Sequence, residues 1–163
     1  ILDADALNIL SEVPKWWQDL SSDVVLTPHP GEMSRLTGQS VQEIQKNRLG
    51  IAREMAALWN KTIVLKGAYT VVATPDGRAM INPSANPGLA SAGTGDVLAG
   101  VIAGMAAQGN SPVNAAVAGV FLHSQAGEII RDEIGNAGMI ASDLLPVLPR
   151  VINSVKRVKQ QNG

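Results

Sequence analysis

A chain of 163 residues with 45% apolar content is large enough to bury a core, which excludes disordered and fibrous classes. A formal charge of −1 gives no pointer to nucleic acid or an anionic membrane surface, so neither is expected as a partner. Without cysteine there is no disulfide scaffold or thiol chemistry, and no apolar run reaches the roughly 18 residues of a membrane helix, so a reducing, cytoplasmic setting is expected.

The chain opens on a strand-like Ile1–Leu2 that ends in Asp3-Ala4-Asp5, two acids that could bind a metal, although Asp5 more simply caps a helix over Ala6–Leu10. A start on a buried-strand pattern reads as the later part of a longer domain. Residues 1–163 are therefore expected to form a single domain that is incomplete at its N-terminus. Asp23 to Thr27 is β-branched and stopped by Pro28 and Pro30, which predicts a strand, followed by a short helix over Gly31–Leu36 that ends at Gly38. Ser40 and Glu43 form a capping box, and Ile44, Ile51, Met55 and Leu58 follow at near-helical spacing.

Thr62–Gly67 predicts a buried strand, and Tyr69–Thr74 another that Pro75-Asp76-Gly77 turns back into Arg78–Asn82. After the loop Pro83–Ser91 come helices predicted over Asp96–Gln108, Pro112–Glu133 and Ser142–Val158, with caps at Ser111 and Ser142-Asp143. Lys156–Gly163 reads as a fraying helix end. Strands alternating with helices predict an α/β fold with a largely parallel sheet and one antiparallel hairpin.

Three segments carry candidate chemistry. In Gly93-Thr94-Gly95-Asp96 the glycines let backbone N–H groups approach an anion, the following helix adds its positive end, and Thr94 offers a hydroxyl. A carboxylate there repels phosphate as a ligand but suits a base that takes a proton from an attacking hydroxyl. The competing reading is that Asp96 caps a closely packed helix, and locally both stand. Gly-Lys-Ser/Thr and GxGxxG are both absent from this turn.

His29 sits between two prolines just after a predicted strand, the place where open α/β sheets bind ligands, or else is a loop histidine without a role. Lys66 at a strand end, with Gly67 and Thr70, can put a cation and a hydroxyl near phosphates, or can be a solvent-facing lysine in a turn. His123 reads as a satisfied, partly buried histidine, and Asp132-Glu133 as a solvated face. Trp16-Trp17 reads either as a surface patch or as the lining of the absent part.

Taken in order, LDADAL, TPHPGE, VLKGAYT, NPSANPGLASAGTGDVLAGVIAG, LHSQAGEIIRDEIG and GMIASDLLPVLP resemble the ADP- or ATP-dependent NAD(P)H-hydrate dehydratases. These are the carbohydrate-kinase-like branch of the ribokinase superfamily. The resemblance implies a ribokinase-like three-layer α/β fold with a mostly parallel central sheet, here lacking its N-terminal part. It implies a metabolite-repair lyase that dehydrates hydrated NADH or NADPH, using ADP or ATP with Mg²⁺ and giving AMP or ADP and phosphate.

By the same resemblance, Asp96 is the catalytic base and touches the substrate, and His29 contacts the hydrated dinucleotide. Gly93, Thr94 and Gly95 cradle the phosphoryl group, while Lys66, Gly67, Ala68, Tyr69 and Thr70 bind the nucleotide together with Gly95. No metal ligand is assigned, and a homo-oligomer such as a tetramer is implied. Two other readings stand: a small-molecule kinase of the superfamily, for hydroxyethylthiazole or hydroxymethylpyrimidine, and a non-catalytic nucleotide-binding fragment.

Overall fold

The computed structural model describes residues 1–161, with side chains through Arg157. Its sheet has the order β1 (Val25–Leu26), β2 (Thr62–Leu65), β3 (Val71–Ala73) and β4 (Ala79–Ile81). The first pair is parallel, with Leu26 opposite Ile63, and Leu2 adds a further parallel bridge to Leu26. The β2–β3 and β3–β4 pairs are antiparallel, so the sheet is mixed rather than largely parallel; β3–β4 is the expected hairpin, and β2–β3 adds a second antiparallel pair.

Side-chain alternation along these strands explains the layers. Leu26, Ile63, Leu65, Val71 and Ala73 point to one face and are buried with α1 (Asp5–Ser11), α2 (Pro30–Thr37), α3 (Val41–Lys46) and α4 (Arg48–Trp59). Val25, Val64 and Val72 point to the other and meet Leu98, Ile102 and Val120 of α5 (Thr94–Ala107) and α6 (Pro112–Glu133). With both faces covered the strands carry no polar alternation, which is why they read as continuous apolar runs. A third cluster joins α6 to α7 (Ala141–Gln161) through Ile130, Leu144 and Val151.

The α5–α6 contact is close because Gly119 has no side chain: a Cβ there would stand 2.5 Å from Ile102 Cγ1 and 3.1 Å from its Cα. That approach holds the middle of α5 against α6.

Several local expectations are corrected. Asp5 does not cap α1; Ala4, at φ +49°, occupies the cap with no side-chain bond, and Asp5 lies in the first turn. The predicted helix through Ile44 and Leu58 is two helices, broken at Asn47, whose φ of −135° leaves the helical region while its side chain caps α4. Trp59 rather than Leu58 faces the core, since Leu58 is exposed. Trp16 is no surface patch: it is buried between Trp17 and Trp59, with ring centroids 5.7 and 5.0 Å away.

At α7 the helix starts ahead of Ser142, and Asp143 reaches back to accept the Ile140 N–H at 2.9 Å. The helix continues past Val158 to Gln161, so of the tail read as fraying only residues 162–163 lie outside the described residues. No helix among the described residues is long and apolar enough to cross a membrane.

Candidate active site

Parallel strands place their carboxyl ends along one edge of the sheet, and that edge gathers the site. Leu2 leads to Asp3, β1 leads through Thr27 and Pro28 to His29, and β2 leads to Lys66. Backbone bonds hold the three ends together: Thr27 N–H donates to the Leu2 carbonyl at 3.1 Å, and Lys66 N–H to that of Pro28 at 2.8 Å. Arg48 fixes the end of β2 from α4, donating to the carbonyls of Leu65 at 3.0 Å and Lys66 at 3.3 Å. Burial lowers the pKa of this guanidinium from its ordinary value.

Lys66 is not a solvent-facing lysine. Its Nζ lies 2.6 Å from Asp3 Oδ1 and 3.8 Å from Glu32 Oε2, and all three side chains are largely shielded from water. Beside them, a Cβ on Gly95 would stand 3.4 Å from Lys66 Nζ and 4.0 Å from Asp3 Oδ2. The cation therefore stands at the first turn of α5, although 63 residues separate it from Asp3.

His29 caps α2. Its Nδ1 accepts the N–H groups of Gly31 and Glu32 at 2.9 and 3.2 Å, and its own N–H donates to Glu32 Oε2 at 2.7 Å. Pro30 at the first helical position costs no hydrogen bond there. With Nδ1 committed as an acceptor, the imidazole presents Nε2, 3.4 Å from Glu32 Oε1, at the exposed rim.

The Gly93–Asp96 turn resolves the question of the cap. Gly93, at φ +83°, is the residue before the helix, in a conformation that side chains other than glycine's rarely adopt. Asp96 is the third residue of α5, so the cap reading is corrected: its carboxylate is exposed and makes no capping bond. The Thr94 hydroxyl donates within the loop, toward the Leu89 and Ser91 carbonyls at 2.7 and 2.8 Å, so it is not a free donor for an anion. The N–H groups of Gly95 and Asp96 have no backbone partner among the described residues, as expected in a helix's first turn.

His123 on α6 braces this turn. It is buried, and its Nε2 lies 2.9 Å from the Thr94 carbonyl oxygen. Burial lowers its pKa below the ordinary value, opposed in part by that carbonyl. Since the unfolded chain then takes up this proton first, His123's contribution to stability is complete above about pH 6.5 and is lost as the pH falls below it. We expect the melting temperature of the wild type to fall more steeply from pH 7 to pH 5 than that of His123→Gln. Parallel thermal-unfolding curves across that range would contradict this.

Between these elements lies a cleft of about 340 Å³, a volume within the range of small-molecule sites. It brings together Lys66, Gly67, Ala68, Thr70, Thr94 and Gly95 with the loop from Asn82 to Ala90 and with Leu98, Val120, His123 and Ser124. Tyr69 does not line it; its side chain is half exposed and its backbone takes φ +56° to donate to Ser84 at 3.1 Å. His29, Gly93 and Asp96 also lie outside its lining. Residue by residue, the sequence gives no site role to Glu32, Arg48, Asn86 or Ser124, and for Asp3 only a metal-binding reading that ranks below the helix cap. Asp3, Glu32, Asn86 and Ser124 nevertheless lie within segments that carry the family resemblance, and only Arg48 lies in none of them.

Three comparisons relate the chain as a whole to known proteins. The NAD(P)H-hydrate dehydratase family model matches residues 1–150. A bifunctional NAD(P)H-hydrate repair enzyme Nnr of Moorella thermoacetica is 47% identical over 156 residues, 96% of this chain and 29% of that protein. The crystal structure of the Bacillus subtilis ADP/ATP-dependent NAD(P)H-hydrate dehydratase, co-crystallized with ATP/Mg²⁺, matches at TM-score 0.77 and 45% identity over 80% of this chain and 47% of that one. A ribokinase-like superfamily protein of Enterococcus faecalis matches at TM-score 0.74 and 28% identity over 93% of this chain and 51% of that one. The chain thus spans between about a third and a half of the proteins it matches, and its fold is ribokinase-like. On the match over residues 1–150, the chain belongs to the NAD(P)H-hydrate dehydratase family.

Proposed function

We propose that the protein containing this chain dehydrates hydrated NADH and NADPH at the expense of ADP or ATP. The observation that carries this is the convergence of Lys66, Gly95 and the free first turn of α5 on one cleft, with Asp96 projecting beside it. Such an arrangement holds phosphates by backbone N–H groups and one cation, and offers a carboxylate to a hydroxyl.

In this reading the nucleotide lies along Lys66 to Thr70 and Gly95, and the N–H groups of Gly95 and Asp96 face its terminal phosphoryl group. The hydrate's ring hydroxyl, oriented by His29 at the rim, loses its proton to Asp96 and attacks phosphorus as the bond to AMP (or ADP) breaks. The phosphorylated ring then loses phosphate as its C–O bond breaks and a neighbouring C–H gives up its proton, restoring the double bond. Thr94 contributes through its backbone, because its hydroxyl is already used.

Mg²⁺ usually binds through one or two carboxylates and the substrate's phosphates rather than in a protein cage. The donor set fits that mode: Asp3 and Glu32 flank the phosphate end at Lys66, and no group of three or more ligating side chains exists among the described residues. Asp3 and Glu32 would hold the ion, which would supply charge neutralisation at the phosphoryl oxygens.

The test is incubation of the intact protein with hydrated NADH and ADP. Recovery of the reduced nicotinamide absorbance, with AMP and phosphate formed in equal amounts, is expected. Phosphorylation of a free alcohol such as hydroxyethylthiazole without such recovery would replace this reading with a kinase.

Gly95→Ala separates site from scaffold. The contacts of its methyl, at 3.4 Å and beyond, are ordinary ones, and alanine is the better helix former by about 0.5–1 kcal/mol, so stability is expected to hold or rise. The methyl occupies the space that a phosphate would share with Lys66. ADP affinity measured calorimetrically is expected to fall about 10- to 150-fold, the worth of one charge-assisted bond. Unchanged affinity would move the phosphates elsewhere.

A further inference from the structure

We propose that Asn86 and Ser124, which no step above uses, receive the polar edge of the nucleotide's base. This rests on the nucleotide reading of the cleft and extends it to the end away from the phosphates.

Both residues line the cleft that Lys66 and Gly95 line. Ser124 is only 3% exposed, and its Oγ has no hydrogen-bond partner among the described residues. Asn86 Nδ2 is likewise buried without a partner. Folding rarely leaves such atoms unpaired, because they give up water and gain nothing in return. Two of them on one cleft are explained together by a ligand that pairs with both.

The chemistry each offers is defined. Asn86 Oδ1 accepts the Gly88 N–H at 2.9 Å, which fixes the amide so that only its N–H₂ is left to bond. Asn86 therefore demands an acceptor, and the Ser124 hydroxyl adapts as donor or acceptor. A ring nitrogen next to an exocyclic amino group, as on adenine, satisfies the pair. Leu89, Leu98 and Val120 in the same lining supply apolar surface for the flat faces of a ring.

The loop that carries Asn86 lies on α6. Ser84 Oγ donates to Glu128 at 2.8 Å, and Leu89 fills the space that a side chain at Gly127 would need. Asn86 and Ser124 thus line the cleft from the loop and from the helix respectively, and a ring entering between loop and helix exchanges two unpaired atoms for two bonds.

Two variants test this in the intact protein by calorimetric titration with ADP. Ser124→Ala is expected to weaken ADP binding about 3- to 10-fold, the effect of one neutral hydrogen bond. Its melting temperature without nucleotide is expected to be equal or higher, since an unpaired buried hydroxyl is removed. Asn86→Asp keeps the oxygen that caps Gly88 but turns the other atom into an acceptor, and is expected to weaken ADP about tenfold or more. ADP bound normally by both variants would overturn this assignment alone. A fall in the melting temperature of Ser124→Ala alongside weaker binding would also overturn it, as the serine would then be structural. Failure of the wild type to bind ADP would overturn the nucleotide reading and this one together.

Discussion

Asp96→Asn is expected to slow turnover about 10²- to 10⁴-fold while ADP binds with near-wild-type affinity. Asparagine keeps the shape and a hydrogen-bonding oxygen but cannot take the proton of a hydroxyl. The side chain is exposed at the third position of α5 and does not cap the helix, so the substitution removes no structural bond. A surface change of this kind shifts stability by about 0.5 kcal/mol or less. Single-turnover measurements with saturating ADP would separate the outcomes. Near-normal turnover in Asp96→Asn would sink the base assignment.

Lys66→Met is expected to produce the second large effect, on binding and stability at once. Loss of one charged partner to the phosphates should weaken ADP about 10- to 150-fold. The same change strands Asp3 and Glu32, whose side chains are 12% and 5% exposed, without their cation. Breaking a buried pair costs about 3–5 kcal/mol, and the lower end applies because Lys66 keeps some solvent contact, at 17% exposure. Adding Asp3→Asn to Lys66→Met should recover part of the stability and none of the ADP affinity, since only the stranded charge is repaired. Recovery of ADP affinity in the double variant would show that Lys66 acts on the fold and not on the nucleotide.

Much of the scaffold is written locally. Proline after Ser111, the Ser40–Glu43 box and the Pro75-Asp76-Gly77 turn each impose their geometry within a few residues, and each appears where the sequence places it. The same holds for three parts of the site: strand ends followed by Pro28 or Gly67, and the glycines that open α5. What the sequence hides is long-range pairing. Nothing near Asp3 announces Lys66, and an acid just ahead of a helix looks like its cap, which is how Asp3-Ala4-Asp5 reads in isolation.

Competition between local bonds is equally hard to read. Thr94 could have donated to a ligand, but two carbonyls of its own loop claim the hydroxyl first. Asn47 interrupts an apolar pattern that would otherwise continue from α3 into α4, because its side chain competes with the helix for the backbone and accepts the Gly50 N–H as the α4 cap. Trp16 and Trp17 meet Trp59 only after the chain folds back over more than 40 residues, so two adjacent tryptophans can look like surface until the third arrives.

The central claim is that the first turn of α5 holds the phosphates of a nucleotide lying along Lys66–Thr70. A crystal structure of the intact protein with ADP measures this directly. The expected result is phosphate oxygens within hydrogen-bonding distance of the Gly95 and Asp96 N–H groups and of Lys66 Nζ, with the Asp96 carboxylate facing the terminal phosphoryl group. ADP bound with its phosphates away from Gly93–Asp96 would contradict it.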